Sequence, residues 1–338
     1  MPILQPRSRV LAVVFLTMGC AVAFHALHAL VGVGHPALDG FVKDGIYTAI
    51  ELVAVAVCGA RAVLRRRDRA AWALIAVGLL TWSGGDLVWT VWLNDLASPP
   101  YPSIADPLYL AMYPAMYVAI VLLVRSQFRH VDMAMWLDGV VVGLTLAAIG
   151  AALIFPAILG ASSGDTGGIA VNLAYALGDL LLLLFVSVAF ALSGWRPGRQ
   201  WLLLALGIVL MACADMIFLY EEAKGTYVAG GILDTMWPAS MTALALAAWQ
   251  PAPAGPTRAR VGSHTVLLPA AFGVAALALL VAGSLIRCRT SRSDWRPARC
   301  SPWARAPRSP TWRTRACSGA RRRTPSPTRS PASETDAG

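Results

Sequence analysis

The sequence predicts an all-α protein: a polytopic membrane helix bundle of nine apolar spans, with hints of repeated helical hairpins, followed by a disordered tail. Three observations predict it. The 338 residues are 57% apolar and 14% charged, with a mean hydropathy of +0.61; a soluble domain is about 45–50% apolar and about 25% charged. Apolar runs near the ~20 residues needed to cross ~30 Å of hydrocarbon recur along the chain. Arginine falls only in alternate connections between them.

The runs occupy 10–31, 44–64, 70–93, 107–124, 136–160, 169–194, 201–223, 232–249 and 266–286. The first reads as a span rather than a cleaved signal peptide, because it is too long and no small-residue cleavage site precedes a soluble domain. Arg7 and Arg9 precede it. RRRDR (65–69), RSQFR (125–129), WRPGR (195–199) and TRAR (257–260) follow the second, fourth, sixth and eighth. The other connections hold Lys43 and Lys224 and no Arg. By the positive-inside rule the Arg-bearing side and the N-terminus are cytoplasmic, which implies a multi-pass protein of a bacterial inner (plasma) membrane.

The net charge of +10 belongs to the last residues alone. Residues 287–338 carry 13 Arg against Asp294, Glu334 and Asp336, while residues 1–286 balance to zero. The basicity therefore points to no nucleic-acid partner; the expected partner is the lipid bilayer. Cys20, Cys58, Cys213, Cys288, Cys300 and Cys317 show no CxxC or paired spacing. The first three lie in apolar runs, where Cys behaves as a small hydrophobe, and neither a disulfide framework nor a zinc site is expected.

Residues 1–286 thus read as a membrane domain and 287–338 as an Arg/Pro/Ser-rich tail. A ninth span that starts inside must exit outside, carrying 13 Arg to the wrong face. Translation out of frame removes the conflict. From Arg322 onward, joining the last base of each codon to the first two of the next permits EDALTDSLTGLGNRR, and Asp294–Ala306 permits a Leu/Ala/Gly-rich tenth span. A natively disordered basic tail is the alternative that composition offers.

The recovered string resembles the opening of GGDEF domains, the diguanylate cyclase module, with its D-x-L-T-x-L-x-N-R-R pattern. WSGGDLVWTVWL, SPPYPSIADPLYLAMYP, WLDGVVVG, NLAYALGDLLLL and GWRPGRQWLLL are similar to the multi-span N-terminal sensor regions of actinobacterial-type GGDEF and GGDEF–EAL proteins. The resemblance covers roughly residues 10–286 and implies a sensory role and a homodimer, because the cyclase site forms between two protomers. The GG[DE]EF signature itself is absent from the chain, so no catalytic residue is carried over.

Glu51, Asp86, Asp138, Asp179, Asp215 and Asp234 fall near or within spans, where each acid costs about 2.5–3.5 kcal/mol at mid-membrane on insertion scales. Asp86 in GGDLVWTVW and Asp215 in CADMIFLYE sit alike, each followed by a loop and an acid entering the next span, Asp106 and Asp234. Asn172, Tyr175 and Asp179 occupy the comparable place between them. With Trp237, these residues are the candidates for an outward-facing pocket that binds a small ligand or a proton. Taken singly, each is better explained as interhelical hydrogen-bonding, with Trp and Tyr as an interfacial belt; it is the set together that points to a pocket. Asp138 reads as an N-terminal helix charge. His25 and His28, with His35 beyond them, lack an acid or Cys at ligand spacing and are read as interface histidines, so no metal is expected; nor is a cofactor. No P-loop, GxSxG or HExxH occurs. A small-solute or ion transporter using the intramembrane acids is the alternative to the sensor.

Reading the gene across codons 285–295 tests the frame. An inserted or deleted base there, with a tenth apolar span in the restored frame, is the expected result; a continuous frame removes the basis for a lost cyclase.

Overall fold

The computed structural model describes residues 6–31, 39–96, 99–128, 133–161 and 166–251, all within the unit Met1–Arg287. The expected ninth span, the tail, His35 and the three C-terminal cysteines lie outside the described residues. Every described element is helical: α1 (Pro6–Val31), α2 (Tyr47–Leu64), α3 (Arg69–Val88), α4 (Asp106–Gln127), α5 (Met133–Ala161), α6 (Thr166–Leu192), α7 (Arg199–Lys224) and α8 (Met236–Ala248). Wide π turns lead into α2 (Phe41–Ile46) and out of α3 (Trp89–Leu93), and a 3₁₀ turn (Ile232–Thr235) leads into α8.

Six segments are long and apolar enough to cross a membrane: Arg9–Val31, Phe41–Leu64, Arg69–Leu93, Asp106–Gln127, Thr166–Leu192 and Arg199–Lys224. Trp136–Ala152 and Ile232–Ala248 are shorter apolar helices. Large apolar side chains are exposed around the outside, among them Leu16, Leu80, Leu144, Leu177 and Leu206. A helix that is apolar on every side belongs in hydrocarbon, not in water, and the bundle has that membrane-like character.

Helix order around the bundle follows from which neighbours pack. α2 packs on α3, α3 on α4, α4 on α6, α6 on α7, α7 on α8, and α8 back on α2. These six helices close a ring. Outside it, α1 lies against α8 and α2, and α5 against α6 and α7. The interior is filled by Trp72, Ile75, Leu79, Met112, Met116, Ile120, Trp201, Leu204 and Ile208, all fully buried.

The arginine-rich end is fastened by side chains that satisfy helix termini. Arg61, 4% exposed, donates from Nε to the Ala248 carbonyl (2.9 Å) at the end of α8 and from a terminal nitrogen to Arg67 O (3.0 Å). A cation at a helix C-terminus meets the negative end of its dipole. Arg65 lies over the Trp249 ring at 5.2 Å, and Trp249 donates to Val57 O (3.2 Å). Across the ring, Trp201 Nε1 donates to Gln127 (2.7 Å), tying the start of α7 to the end of α4.

α5 and α6 approach until backbone meets backbone: a Cβ on Gly139 would lie 2.4 Å from Val188 Cα. Gly139→Ala is therefore expected to cost about 1–3 kcal/mol, the usual range for overpacking. Gly59, whose Cβ would meet nothing within 4 Å, is expected to gain up to about 1 kcal/mol as Ala, from helix propensity. Thermal unfolding in detergent micelles compares the two variants.

Candidate functional site

The polar interior is concentrated at the end opposite the arginines, where α2, α4, α6 and α8 begin and α3 and α7 finish. The eight candidate residues all lie towards this end, but they divide into two kinds of contact. Asp106 and Asp234 secure the turns that start α4 and α8. Asp106 accepts from Ser103 N (2.5 Å) and Ser103 Oγ (2.9 Å), and from Tyr175 Oη on α6 (2.8 Å). Asp234 accepts from Gly230 N (2.5 Å) and Tyr227 Oη (2.9 Å). Burial, with Asp234 beside it, holds the Tyr227 phenol well above its ordinary range, so it remains a donor. Asn172 accepts from Tyr101 Oη, which ties the loop before α4 to α6.

Asp86, Asp179 and Asp215 instead face inward, and each has an aromatic donor. Tyr109 Oη of α4 donates to Asp86 (2.8 Å). Trp237 Nε1 of α8 donates to Asp215 (2.7 Å). Tyr113 Oη lies 3.0 Å from Asp179 and 3.3 Å from Asp215, bridging two carboxyls on different helices. Glycine makes room for these rings. A Cβ on Gly85, the residue before Asp86, would be 2.6 Å from the Tyr109 ring. One on Gly178, before Asp179, would be 2.7 Å from the Tyr113 ring. The Gly-Asp dipeptides in GGDL and LGDL thus set an acid beside a tyrosine face that any larger residue would displace.

Glu51 is the principal member that sequence reasoning left outside the pocket. It is completely buried on α2 and faces Asp86, with Ser83 and Tyr47 around it. Neither of its oxygens, nor Asp86 Oδ2, nor Ser83 Oγ has a hydrogen-bond partner. A signal for it existed. Tyr47 and Glu51 on α2 stand at the same spacing as Tyr175 and Asp179 on α6, and Trp72 and Asp86 on α3 at that of Trp201 and Asp215 on α7. Asp106 and Tyr109 likewise match Asp234 and Trp237. Each inward acid of α3 or α7 faces one on the preceding packed helix: Glu51 with Asp86, and Asp179 with Asp215.

His25 and His28 are buried rather than interfacial. His25 Nδ1 contacts Thr235 Oγ1 at 2.9 Å and its ring lies 6.1 Å from that of Tyr47. His28 Nε2 is 3.2 Å from Asp39, an acid eleven residues further along the sequence. Among the described residues no three His, Cys, Asp or Glu side chains are grouped to hold a metal. A groove of about 350 Å³ between α4 and α6, lined by Leu110, Tyr113, Tyr117, Leu177, Gly178 and Leu181, opens on the apolar exterior. The inward acids do not line it; Tyr113 stands between them and the groove.

No protein-family model, curated protein or solved structure matches the chain. What the site can do is therefore read from its own chemistry: it holds two facing carboxyl pairs in an apolar bundle, with phenol and indole donors on most of them and, among the described residues, no Lys or Arg paired with them.

Tyr113→Phe deletes the shared hydroxyl and keeps the ring, and is expected to cost about 1–3 kcal/mol because buried carboxyl acceptors lose their donor. Tyr117→Phe, whose hydroxyl reaches only the Gly178 carbonyl (2.9 Å), is expected to cost about 0.5–1.5 kcal/mol. Thermal melts of the two variants in micelles measure the difference.

Proposed function

We propose that this chain is the membrane-embedded sensory region of a diguanylate-cyclase-type signalling protein, with the cyclase itself encoded out of the frame translated here. It lies in the inner membrane of a bacterium as a multi-pass homodimer, N-terminus in the cytoplasm, with nine spans translated in frame and a tenth beyond the break. The observation that carries the reading is the separation of roles between the two ends. Buried acids and aromatics gather at the end facing away from the cytoplasm, and α2 runs from them to Arg61, which grips the last carbonyls of α8. Ten residues of helix separate Glu51 from Arg61, about 15 Å at 1.5 Å per residue. A change of charge at one end alters the α2–α3 contact and is passed by a rigid helix to the point where α8 leaves the bundle.

The matched spacings and the ring order further support two four-helix repeats, α1–α4 and α5–α8. α2, α3 and α4 correspond to α6, α7 and α8, and the α4–α6 contact corresponds to α8–α2. Duplicated acid pairs in paired repeats are also a transporter arrangement, and this is the one feature that favours a small-solute or ion carrier as the second reading.

The repaired gene, expressed whole, is expected to make cyclic di-GMP from GTP. A restored frame that encodes no GG[DE]EF-like loop overturns the sensor. Solute or ion flux through liposomes that disappears in Asp179→Asn would favour the carrier.

A further inference from the structure

The two acid pairs occupy matched positions, yet they are not equally furnished. Asp179 and Asp215 share Tyr113, and Asp215 also receives Trp237. Asp86 receives Tyr109 on one oxygen. Glu51 receives nothing: both oxygens are buried without a partner, as are Asp86 Oδ2 and Ser83 Oγ. Ser83 is 2% exposed and faces Glu51 from the turn before Asp86. Its unpartnered hydroxyl is separate from the acids and adds a neutral oxygen to the same small space.

Four buried oxygens without a partner, two on one carboxyl, one on the carboxyl opposite and one a serine hydroxyl, lie close together, with the Trp82 indole N–H beside them likewise unpartnered. Both carboxyls cannot carry charge side by side in hydrocarbon unless a positive charge lies between them. Among the described residues no Lys or Arg is paired with either carboxyl. The groups facing the pair are Ser83 and Trp82 from α3, Tyr47 from α2, Tyr109 from α4, and Asp234 and Tyr227 from the segment before α8. Asp215 lies beyond on α7, and His25 of α1 stands against Tyr47. The nearest lysine, Lys43, pairs with Asp39 at 3.7 Å and faces Asp234. A divalent ion demands more: hard divalent cations collect six or more oxygens, and among the described residues no three His, Cys, Asp or Glu side chains are grouped to hold one.

We propose that Glu51, Asp86 and Ser83 bind one monovalent cation, a sodium ion or a proton, between α2 and α3. The Asp179–Asp215 pair is its counterpart, with Tyr113 and Trp237 as donors and Asp179 Oδ2 left without a partner. The cation site deepens the sensory reading, on which its role but not its existence rests.

The test uses the purified full chain in detergent, with radiolabelled Na⁺ in one arm and infrared detection of carboxylic-acid carbonyls across pH in the other. A sodium site gives saturable binding of about one ion per chain. That binding is weakened about tenfold or more in Ser83→Ala, as for loss of ~1.4 kcal/mol. It is absent in Glu51→Gln and unchanged in Asp138→Asn. A proton site gives no saturable Na⁺ binding. It gives instead a protonated-carboxyl band that bleaches as pH rises, disappears in Glu51→Gln and shifts in Glu51→Asp, the variant that keeps the charge if Gln does not fold. Wild type and Glu51 variants that agree in both arms overturn the site. Neither arm depends on cyclic di-GMP, so failure of the site and failure of the sensory reading are told apart.

Discussion

A carboxyl group inside an apolar helix bundle must be neutralised or hydrogen-bonded, and most of this architecture follows from how four of them are accommodated. Each of the inward acids Glu51, Asp86, Asp179 and Asp215 faces another acid across a helix pair. The donors that reach them are aromatic and come from α4 and α8. That fixes which helices must be neighbours. α4 has to lie beside both α3 and α6 so that Tyr109 and Tyr113, one turn apart, can serve acids in the two halves of the ring. Aromatic donors suit the place because they bring an N–H or O–H on a large apolar body and add no charge.

The opposite end solves a different problem. Helix C-termini expose carbonyls with no intrahelical partner, and at the arginine-rich face these are met by cations and amides. Arg61 serves Ala248, Arg65 and Arg67 carbonyls at once, a geometry that needs the guanidinium fork. Trp72 and Trp201, at matched positions in α3 and α7, fill the core just inside this end. Trp72 lies beneath Arg61 at 5.9 Å from its ring centroid, whereas Trp201 hydrogen-bonds Gln127. The two halves thus keep the same large apolar body and use different polar partners for it.

Much of the helical layout was legible because hydrocarbon imposes length. The eight apolar runs up to 232–249 coincide with α1 to α8 within a few residues, and the misses are at the ends, where π and 3₁₀ turns extend helices through Asp44 and Asp234. The site was only partly legible. Asp86, Asp179, Asp215 and Trp237 were found because an acid or indole in an apolar run is conspicuous. Asp106 and Asp234 looked the same in the sequence yet hold turns, since a short side chain at a helix start reaches its own backbone first. Glu51 was named only among the acids near spans; its partner is on the next helix, and the repeated Tyr-x-x-x-acid spacing is what pointed to it. His28 likewise has its acid, Asp39, eleven residues away in the sequence.

The two acid pairs are unequally supplied with donors. The Asp179–Asp215 pair has one oxygen without a partner, Asp179 Oδ2, and the Glu51–Asp86 pair has three. Through the second pair, Tyr113 and Trp237 tie α4, α6, α7 and α8 together. The first pair is left with oxygens that the protein itself does not satisfy. Whatever charge enters there acts between α2 and α3, and α2 is the helix whose far end Arg61 binds to the close of α8. The asymmetry places the least satisfied polar group, Glu51, on the helix that Arg61 ties to the close of α8 at the other face.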